Sequence, residues 1–334
     1  MEAEAGDIRL RWQRRLRPLL WPAARCYSGI QKARRYAYRR GLLRPVECGR
    51  PVVSVGSLLA GGSGKTPFVL HLAARLATAT YRVAILSGGF GGRARKPGRV
   101  ERGSDPQSCG DEPLLLARAT PAAVWIGRNR ADLARRLAND YDLFLLDDGY
   151  QHLRLSRAFN ICLVPNQPVG DILPAGLWRE RPSALVDADF VACVEDVPGW
   201  LCDFYAGPVG TVEFGPGEWH SGSEPATPPA RVLAFCGIAR PERFLATLAG
   251  FELRDTALFR DHHRYTAGDL DTLWARASRT GAEALVTTAK DAVRIRSAVE
   301  GLPLFWRDVS LRWNSREDEF ARCLTDAVGA ADHS

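Results

Sequence analysis

The chain has 334 residues, 46% hydrophobic and 25% charged, which excludes disorder over most of its length and leaves room for two domains. Its formal charge of +7 is unevenly placed: residues 1–50 hold 13 Lys and Arg against 4 Asp and Glu, and the rest of the chain nets −2. That distribution argues against a nucleic-acid-binding body and suits a basic segment on an anionic membrane surface.

Residues 8–45 read as a broken amphipathic helix. Leu10, Trp12, Leu16, Leu19, Leu20 and Trp21 alternate with Arg11, Arg14, Arg15 and Arg17, and Pro18 and Pro22 break or kink the first piece. A second piece runs from about Ala23 to Arg40. Packing on a core and lying in a bilayer interface are both open readings of this segment. No run reaches the ~18–20 apolar residues of a membrane span, and the acidic, Arg-rich start is a poor signal peptide.

An α/β alternation follows. Pro51–Val55 is strand-like, Gly56–Gly64 is Gly-rich and Lys65–Ala77 has helical period. Strands are expected at Val83–Leu86, Ala123–Ile126, Leu143–Leu146, Asn160–Val164 and Phe190–Val194, with helices at Glu112–Ala119 and Arg128–Asn139. Residues 211–230 are rich in Gly, Pro and Ser and read as a linker. A second alternation starts at Arg231–Cys236 and continues through helices Pro241–Leu248 and Thr266–Ser278 to strands Ala284–Thr287 and Leu304–Val309, ending in a helix over Glu317–Ala330. The expected organisation is a basic helical segment (1–50), a nucleotide-binding core (51–210) with a mostly parallel, helix-covered sheet, the linker, and a smaller α/β domain (231–334). Eight cysteines are scattered without a C-x-x-C pair, so reduced cytoplasmic thiols are expected rather than a disulfide framework or a zinc knuckle.

Gly61-Gly62-Ser63-Gly64-Lys65-Thr66, between a strand and a helix, is the strongest chemical signal. Glycines let main-chain amides close around phosphate oxygens, Lys65 reaches the β/γ-phosphates, and the Thr66 hydroxyl is a Mg²⁺ ligand. The first position of the generic loop pattern is Leu59 rather than Gly, followed by Ala60. Only four lysines occur, at 32, 65, 96 and 290, so a lysine at this spacing in an arginine-dominated chain is informative. Asp147 and Asp148, after the apolar run 143–146, stand where a metal-orienting carboxylate belongs, although an Asp-Asp-Gly turn would use the same residues.

The segment Pro51–Pro67, Gly110-Asp111-Glu112-Pro113, the run Asp147–His152, Leu173-Pro174-Ala175-Gly176 with Arg179-Glu180, Phe235–Phe244, Asp261-His262-His263, and Thr287-Thr288 with Lys290-Asp291 resemble, in order and spacing, the tetraacyldisaccharide 4′-kinases of lipid A biosynthesis. The resemblance covers roughly residues 16–300. It departs at Ser57 (usually Asn), Gly88 (Arg), Ala289 (Glu) and Leu177-Trp178 (Pro-Leu).

The resemblance implies a P-loop kinase with a smaller C-terminal domain and the active site in the cleft between them. It implies a peripheral or monotopic enzyme on the cytoplasmic face of the bacterial inner membrane, docked by its N-terminal helix, with no obligate protein partner. The implied reaction transfers the γ-phosphate of ATP, with Mg²⁺, to the 4′-hydroxyl of tetraacyldisaccharide 1-phosphate, giving lipid IVA. Asp111 is the implied base and His262 its support. Read from its own neighbours, Asp111 is also a good cap for a helix over 112–119. Glu112, His152, Arg93, Arg130, Arg179 and Lys290 are weaker substrate-side candidates, the arginines for the 1-phosphate or the transition state. A membrane-associated P-loop NTPase acting as a regulatory switch is the alternative function.

Overall fold

A computed structural model describes residues 4–78, 81–94, 96–222, 224–295 and 303–332. In chain order the elements are α1 (Glu4–Arg39), β1 (Val52–Ser57), α2 (Lys65–Thr78), β2 (Val83–Ser87), β3 (Gly98–Val100), α3 (Pro106–Cys109), α4 (Asp111–Ala119), β4 (Ala123–Ile126), α5 (Arg130–Leu137), β5 (Leu143–Asp147), β6 (Phe159–Pro165) and β7 (Phe190–Val194). Then come β8 (Val209–Ser221), β9 (Glu224–Pro225), β10 (Arg231–Cys236), α6 (Pro241–Ala246), β11 (Glu252–Leu258), α7 (Ala267–Thr280), β12 (Ala284–Thr288), α8 (Ala289–Ala292), β13 (Leu304–Ser315) and α9 (Glu317–Asp332).

The chain divides into a larger unit, Gln13–Phe214 with Leu311–Ser334, and a smaller one, Gly215–Ser310 with the N-terminal end up to Trp12. In the larger unit the strand order is β8-β7-β6-β1-β5-β2-β4-β3, parallel from β8 to β4, with β3 antiparallel at the edge. Strands β1, β2, β5 and β7 are buried at every position. Such unbroken apolar strands are what a parallel sheet covered by helices on both faces demands. The central strand is β1, between β6 and β5, so the loop leaving its carboxyl end sits where open α/β sheets collect ligands. Helix α9 belongs to this unit. Its Phe320 meets Phe68, Phe159 and Phe190 edge-on or tilted at centroid distances of 5.1–6.1 Å.

The smaller unit carries β11-β10-β12-β13, a second parallel set, with α6 and α7 supplying apolar faces. Helix α7 starts with a reciprocal capping box between Thr266 and Asp269 and ends at Gly281 in the left-handed conformation.

Two expectations need correction. Helix α1 is continuous through Pro18 and Pro22 instead of broken. The two prolines lie one turn apart, so their missing donors fall on one stripe. Downstream turns are held by the core: Ala24 is buried, and Leu20 and Tyr27 pack against a cluster that includes Leu58, Tyr150, Trp178 and Leu185. The side chains of Leu10, Trp12 and Leu16 lie outside the described residues. Residues 211–230 are not an unstructured linker, because β8 runs through 209–221. One of their glycines is a steric requirement, since a Cβ on Gly217 would meet the Asp308 backbone at 3.0 Å; just before them, a Cβ on Gly210 would meet the Trp313 ring at 2.9 Å.

The anchor of α1 is ionic. Arg35, almost fully buried, donates Nε and Nη2 to the two oxygens of Glu180 at 2.8 and 2.7 Å and Nη1 to Asp187 at 2.5 Å, and its guanidinium stacks 5.1 Å from the Tyr150 ring. Burial pulls the guanidinium pKa down, but Glu180 and Asp187 outweigh it and hold it above its ordinary value. Arg35→Met leaves buried Glu180 without this partner and is expected to lower unfolding free energy by about 3 kcal/mol in urea titrations. A loss below about 0.5 kcal/mol, the range of inconsequential surface changes, would contradict the anchor.

Candidate active site

The loop between β1 and α2 starts with its first amides already used. Leu59 is buried, and its N–H donates to the Ser57 hydroxyl at 3.2 Å; the Ala60 N–H donates to the Leu177 carbonyl at 2.9 Å. These two residues therefore anchor the loop. Gly61, Gly62 and Gly64 have φ of +79°, +61° and +77°, and a Cβ at Gly61 or Gly62 would meet only open space. A Cβ at Gly64 would lie 2.1 Å from the Phe214 ring, so that position requires glycine for both backbone and space. Helix α2 begins at Lys65, which places its N-terminal amides and partial positive charge at the loop. Thr66 is buried in the first turn.

Strand β5 delivers the carboxylates. Its parallel register sets Asp147 opposite Val55 of β1, beside the start of the loop. Asp147 is buried, accepts from the Ser87 hydroxyl at 2.9 Å, and is pushed up to about 6 by burial first, then by Glu112 and Asp148. Asp148 has a positive φ of 50°. Its carboxylate accepts from Arg179 at 2.7 and 2.8 Å and lies 3.6 Å from the Lys65 ammonium, which also donates to Ser63 at 3.2 Å. Burial alone would raise the Asp148 carboxyl, but Lys65, Arg179 and Arg130 outweigh it and hold it below its ordinary range. Arg130, at the start of α5, donates to the Asp147 carbonyl at 2.7 Å and so fixes the turn after β5. Gln151 joins the same cluster, accepting from Arg179 at 3.3 Å and donating to the Ser57 carbonyl at 3.1 Å.

Asp111 is the first residue of α4, not its cap. The cap is Gly110, at φ +94°, where a Cβ would strike the Phe90 carbonyl at 2.4 Å. Glu112, the next residue, raises the Asp147 carboxyl by its charge. Arg93 lies in the loop before β3, whose backbone runs along α3 (Arg93 N–H to Gln107 carbonyl, 2.8 Å), with its side chain exposed. The larger unit thus gathers Lys65, Thr66, Asp147, Asp148, Arg130 and Arg179, with Glu112 beside Asp147. Ser87, Gln151 and Phe214 complete the cluster. Ser87 and Phe214 carried no individual signal in the sequence, being an ordinary strand end and a residue inside a Gly/Pro-rich stretch.

His262 and Lys290 lie in the smaller unit. His262 has φ +60° in the loop after β11, and residues 260–264 line an open concavity of about 420 Å³. Lys290 is half-buried on α8. The adjacent Asp291 turns inward with 0% exposure.

Comparison with known proteins places the chain in a family. Residues 16–329 match the family described as tetraacyldisaccharide-1-P 4′-kinase. The chain belongs to that family. A tetraacyldisaccharide 4′-kinase of Alkalilimnicola ehrlichii is 40% identical over 285 residues, covering 82% of each chain. One from Geobacter metallireducens is 38% identical over 308 residues, covering 85% of this chain and 90% of its own. Among solved structures, LpxK from Aquifex aeolicus in complex with ATP superposes with a TM-score of 0.76 at 26% identity, over 94% of this chain and 99% of that one.

His152 is mostly buried, and its Nε2 lacks a hydrogen-bond partner among the described residues. Burial, then Arg130, Arg34, Arg157 and Arg154, push its imidazole down to about 3, so the folded protein holds it neutral. The unfolded chain protonates it near pH 6.5, so its contribution to stability is present above that pH and is lost as pH falls toward 3. His152→Gln is expected to flatten the fall in stability between pH 6.5 and 4 in urea titrations; an unchanged slope would contradict the assignment.

Proposed function

We propose that this chain transfers the γ-phosphoryl group of ATP to the 4′-hydroxyl of a tetraacyldisaccharide 1-phosphate, giving the 4′-phosphorylated lipid of lipid A biosynthesis. The observation that carries the reading is the family match over residues 16–329, joined to the glycine loop, Lys65 and Asp147 that meet at the carboxyl ends of β1 and β5.

The main-chain amides of residues 61–66 and the Lys65 ammonium receive the triphosphate, and their charge offsets what develops on the transferring group. Thr66 and Asp147 have the hard oxygen donors that Mg²⁺ prefers. Asp148 is already shared by Arg179 and Lys65, so Asp147 is the better metal-orienting carboxylate and Asp148 the holder of the two cations. Bound there, Mg²⁺ supplies neutralisation of the β- and γ-phosphate oxygens. Among the described residues no group of three His, Cys, Asp or Glu is arranged to hold a metal alone, which fits an ion that shares its coordination with phosphates and water. Asp111 accepts the hydroxyl proton as the sugar oxygen bonds to phosphorus and the bond to the ADP oxygen breaks, and His262 assists that proton removal. Arg93, Arg179 and Lys290 remain candidates for anionic groups of the substrate.

The N-terminal helix supports action at a membrane surface. Among the described residues no helix is long and apolar enough to cross a membrane. Leu19, Trp21, Ile30 and Tyr36 of α1 and Leu42 just beyond it are more than half exposed, amid Arg and Lys. We place this segment, whose exposed apolar side chains flank its buried stripe, on the cytoplasmic leaflet of the inner membrane.

Purified protein with ATP, Mg²⁺ and tetraacyldisaccharide 1-phosphate in detergent is expected to phosphorylate the 4′ position, and failure by folded protein rejects the reading. Lys65→Ala and Asp111→Asn are each expected to lower kcat by about 100-fold or more with thermal unfolding unchanged. Wild-type turnover in either would show its role misassigned. Replacing Leu19, Trp21 and Ile30 with Ser is expected to reduce cosedimentation with anionic vesicles while detergent activity persists; unchanged cosedimentation would refute docking through this helix.

A further inference from the structure

Asp291 is completely enclosed on α8, yet it is the centre of a polar network in the smaller unit. Its Oδ1 accepts from the Gly237 N–H at 3.0 Å, the Tyr265 hydroxyl at 3.1 Å and Arg294 Nη1 at 3.0 Å, and its Oδ2 accepts from the Thr288 hydroxyl at 2.6 Å. Arg294 is 5% exposed. Its Nη1 also donates to the Gly237 carbonyl at 2.9 Å, and its Nη2 reaches His262 Nδ1 at 3.2 Å. The His262 N–H closes onto the same Gly237 carbonyl at 3.1 Å. Gly237 has no room for a side chain: a Cβ would lie 2.9 Å from the Arg260 carbonyl and 3.1 Å from the His263 side chain. The network therefore grips, from inside, the turn that holds His262 at its positive φ.

A guanidinium has five donors and no acceptor. The His262 Nδ1 that faces it must offer a lone pair, so in the neutral ring the proton resides on Nε2. The outward half of this side chain is exposed, with Nε2 4.0 Å from Asp261. A ring held this way donates from Nε2 and carries no lone pair there.

We propose that Arg294, held by Asp291, is a positioning residue that fixes His262 as the Nε2–H tautomer, so that His262 serves phosphoryl transfer as a hydrogen-bond donor rather than as a proton acceptor. This rests on the assignment of His262 to the reaction made above. The division of labour is chemical: the carboxylate Asp111 takes the proton, and His262 supplies an oriented N–H. It also gives the buried ion pair a purpose that a merely structural pair would not have, because its charged end is directed at one ring nitrogen.

The test begins with the full-length protein labelled with ¹⁵N-histidine. Its six histidines are resolved by long-range ¹H–¹⁵N correlation, with His262→Gln identifying the signal. At neutral pH, His262 is expected to show a proton-bearing Nε2 and an acceptor-type Nδ1. A proton on Nδ1, or averaging of both tautomers, overturns the proposal without any substitution at the buried pair. In turnover, Arg294→Met is expected to lower kcat by about 10- to 100-fold with little change in KM for ATP, and Arg294→Lys, which keeps a donor, to recover most of the loss. If His262→Gln lowers kcat while folded Arg294→Met does not, the positioning role fails and the assignment of His262 stands. If His262→Gln leaves turnover intact, the role of His262 in the reaction fails, and with it this inference.

Discussion

The site depends on one shared carboxylate. Asp148 sits just past the end of β5 in a left-handed conformation, with Lys65 on one side and Arg179 on the other. Three cations around one carboxylate would repel one another in isolation. Here Arg130 is tied to main-chain carbonyls, Arg179 to Asp148 and Gln151, and Lys65 to Ser63 and Asp148, so each has a fixed direction. Held positive charge with preset orientation is what transfer between two anionic partners requires, because little reorganisation is then needed as charge moves. The neighbouring Asp147 is electrostatically opposite: its carboxyl is pushed up by burial and by Glu112, a condition that a divalent cation would relieve.

The same loop that holds Asp148 reaches back to α1. Residue 179 grips Asp148 and residue 180 grips Arg35, while Arg34 donates to the Gln151 carbonyl at 3.2 Å. The basic helix that carries the exposed apolar residues is therefore fixed to the Asp148 cluster by adjacent residues of one segment. Buried ion pairs are costly to assemble and costly to halve. Their use here is best understood as specifying where α1 lies, beside the apolar contacts of Leu20, Ala24 and Tyr27.

Much of this was legible in the sequence for simple reasons. Parallel strands buried on both faces are continuous apolar runs, so Phe190–Val194 and Arg231–Cys236 are found with the boundaries expected. The glycine loop announces itself because only glycine tolerates its backbone. What stayed hidden depends on partners distant in sequence. Gly215, Pro216 and Gly217 look like a linker, but they lie within β8, and Gly217 leaves no room for a side chain beside Asp308 of β13. Leu59 and Ala60 look like phosphate-binding positions, but their amides are taken by Ser57 and Leu177. Nothing near Asp291 in the sequence announces its burial, which rests on Arg294, three residues later and turned inward, among other partners. Asp111 looks like a helix cap, and the adjacent glycine takes that place because only it fits under the Phe90 carbonyl.

The account turns on phosphate passing to a sugar hydroxyl rather than to water, and the most direct measurement is the stoichiometry of ADP release against 4′-phosphorylated product, followed by ³¹P NMR. One ADP per new 4′-phosphomonoester, with negligible ADP when the lipid acceptor is omitted, is the predicted result. Steady ADP release that is independent of the acceptor, with no phosphomonoester formed, would contradict it and identify a nucleotide-hydrolysing switch.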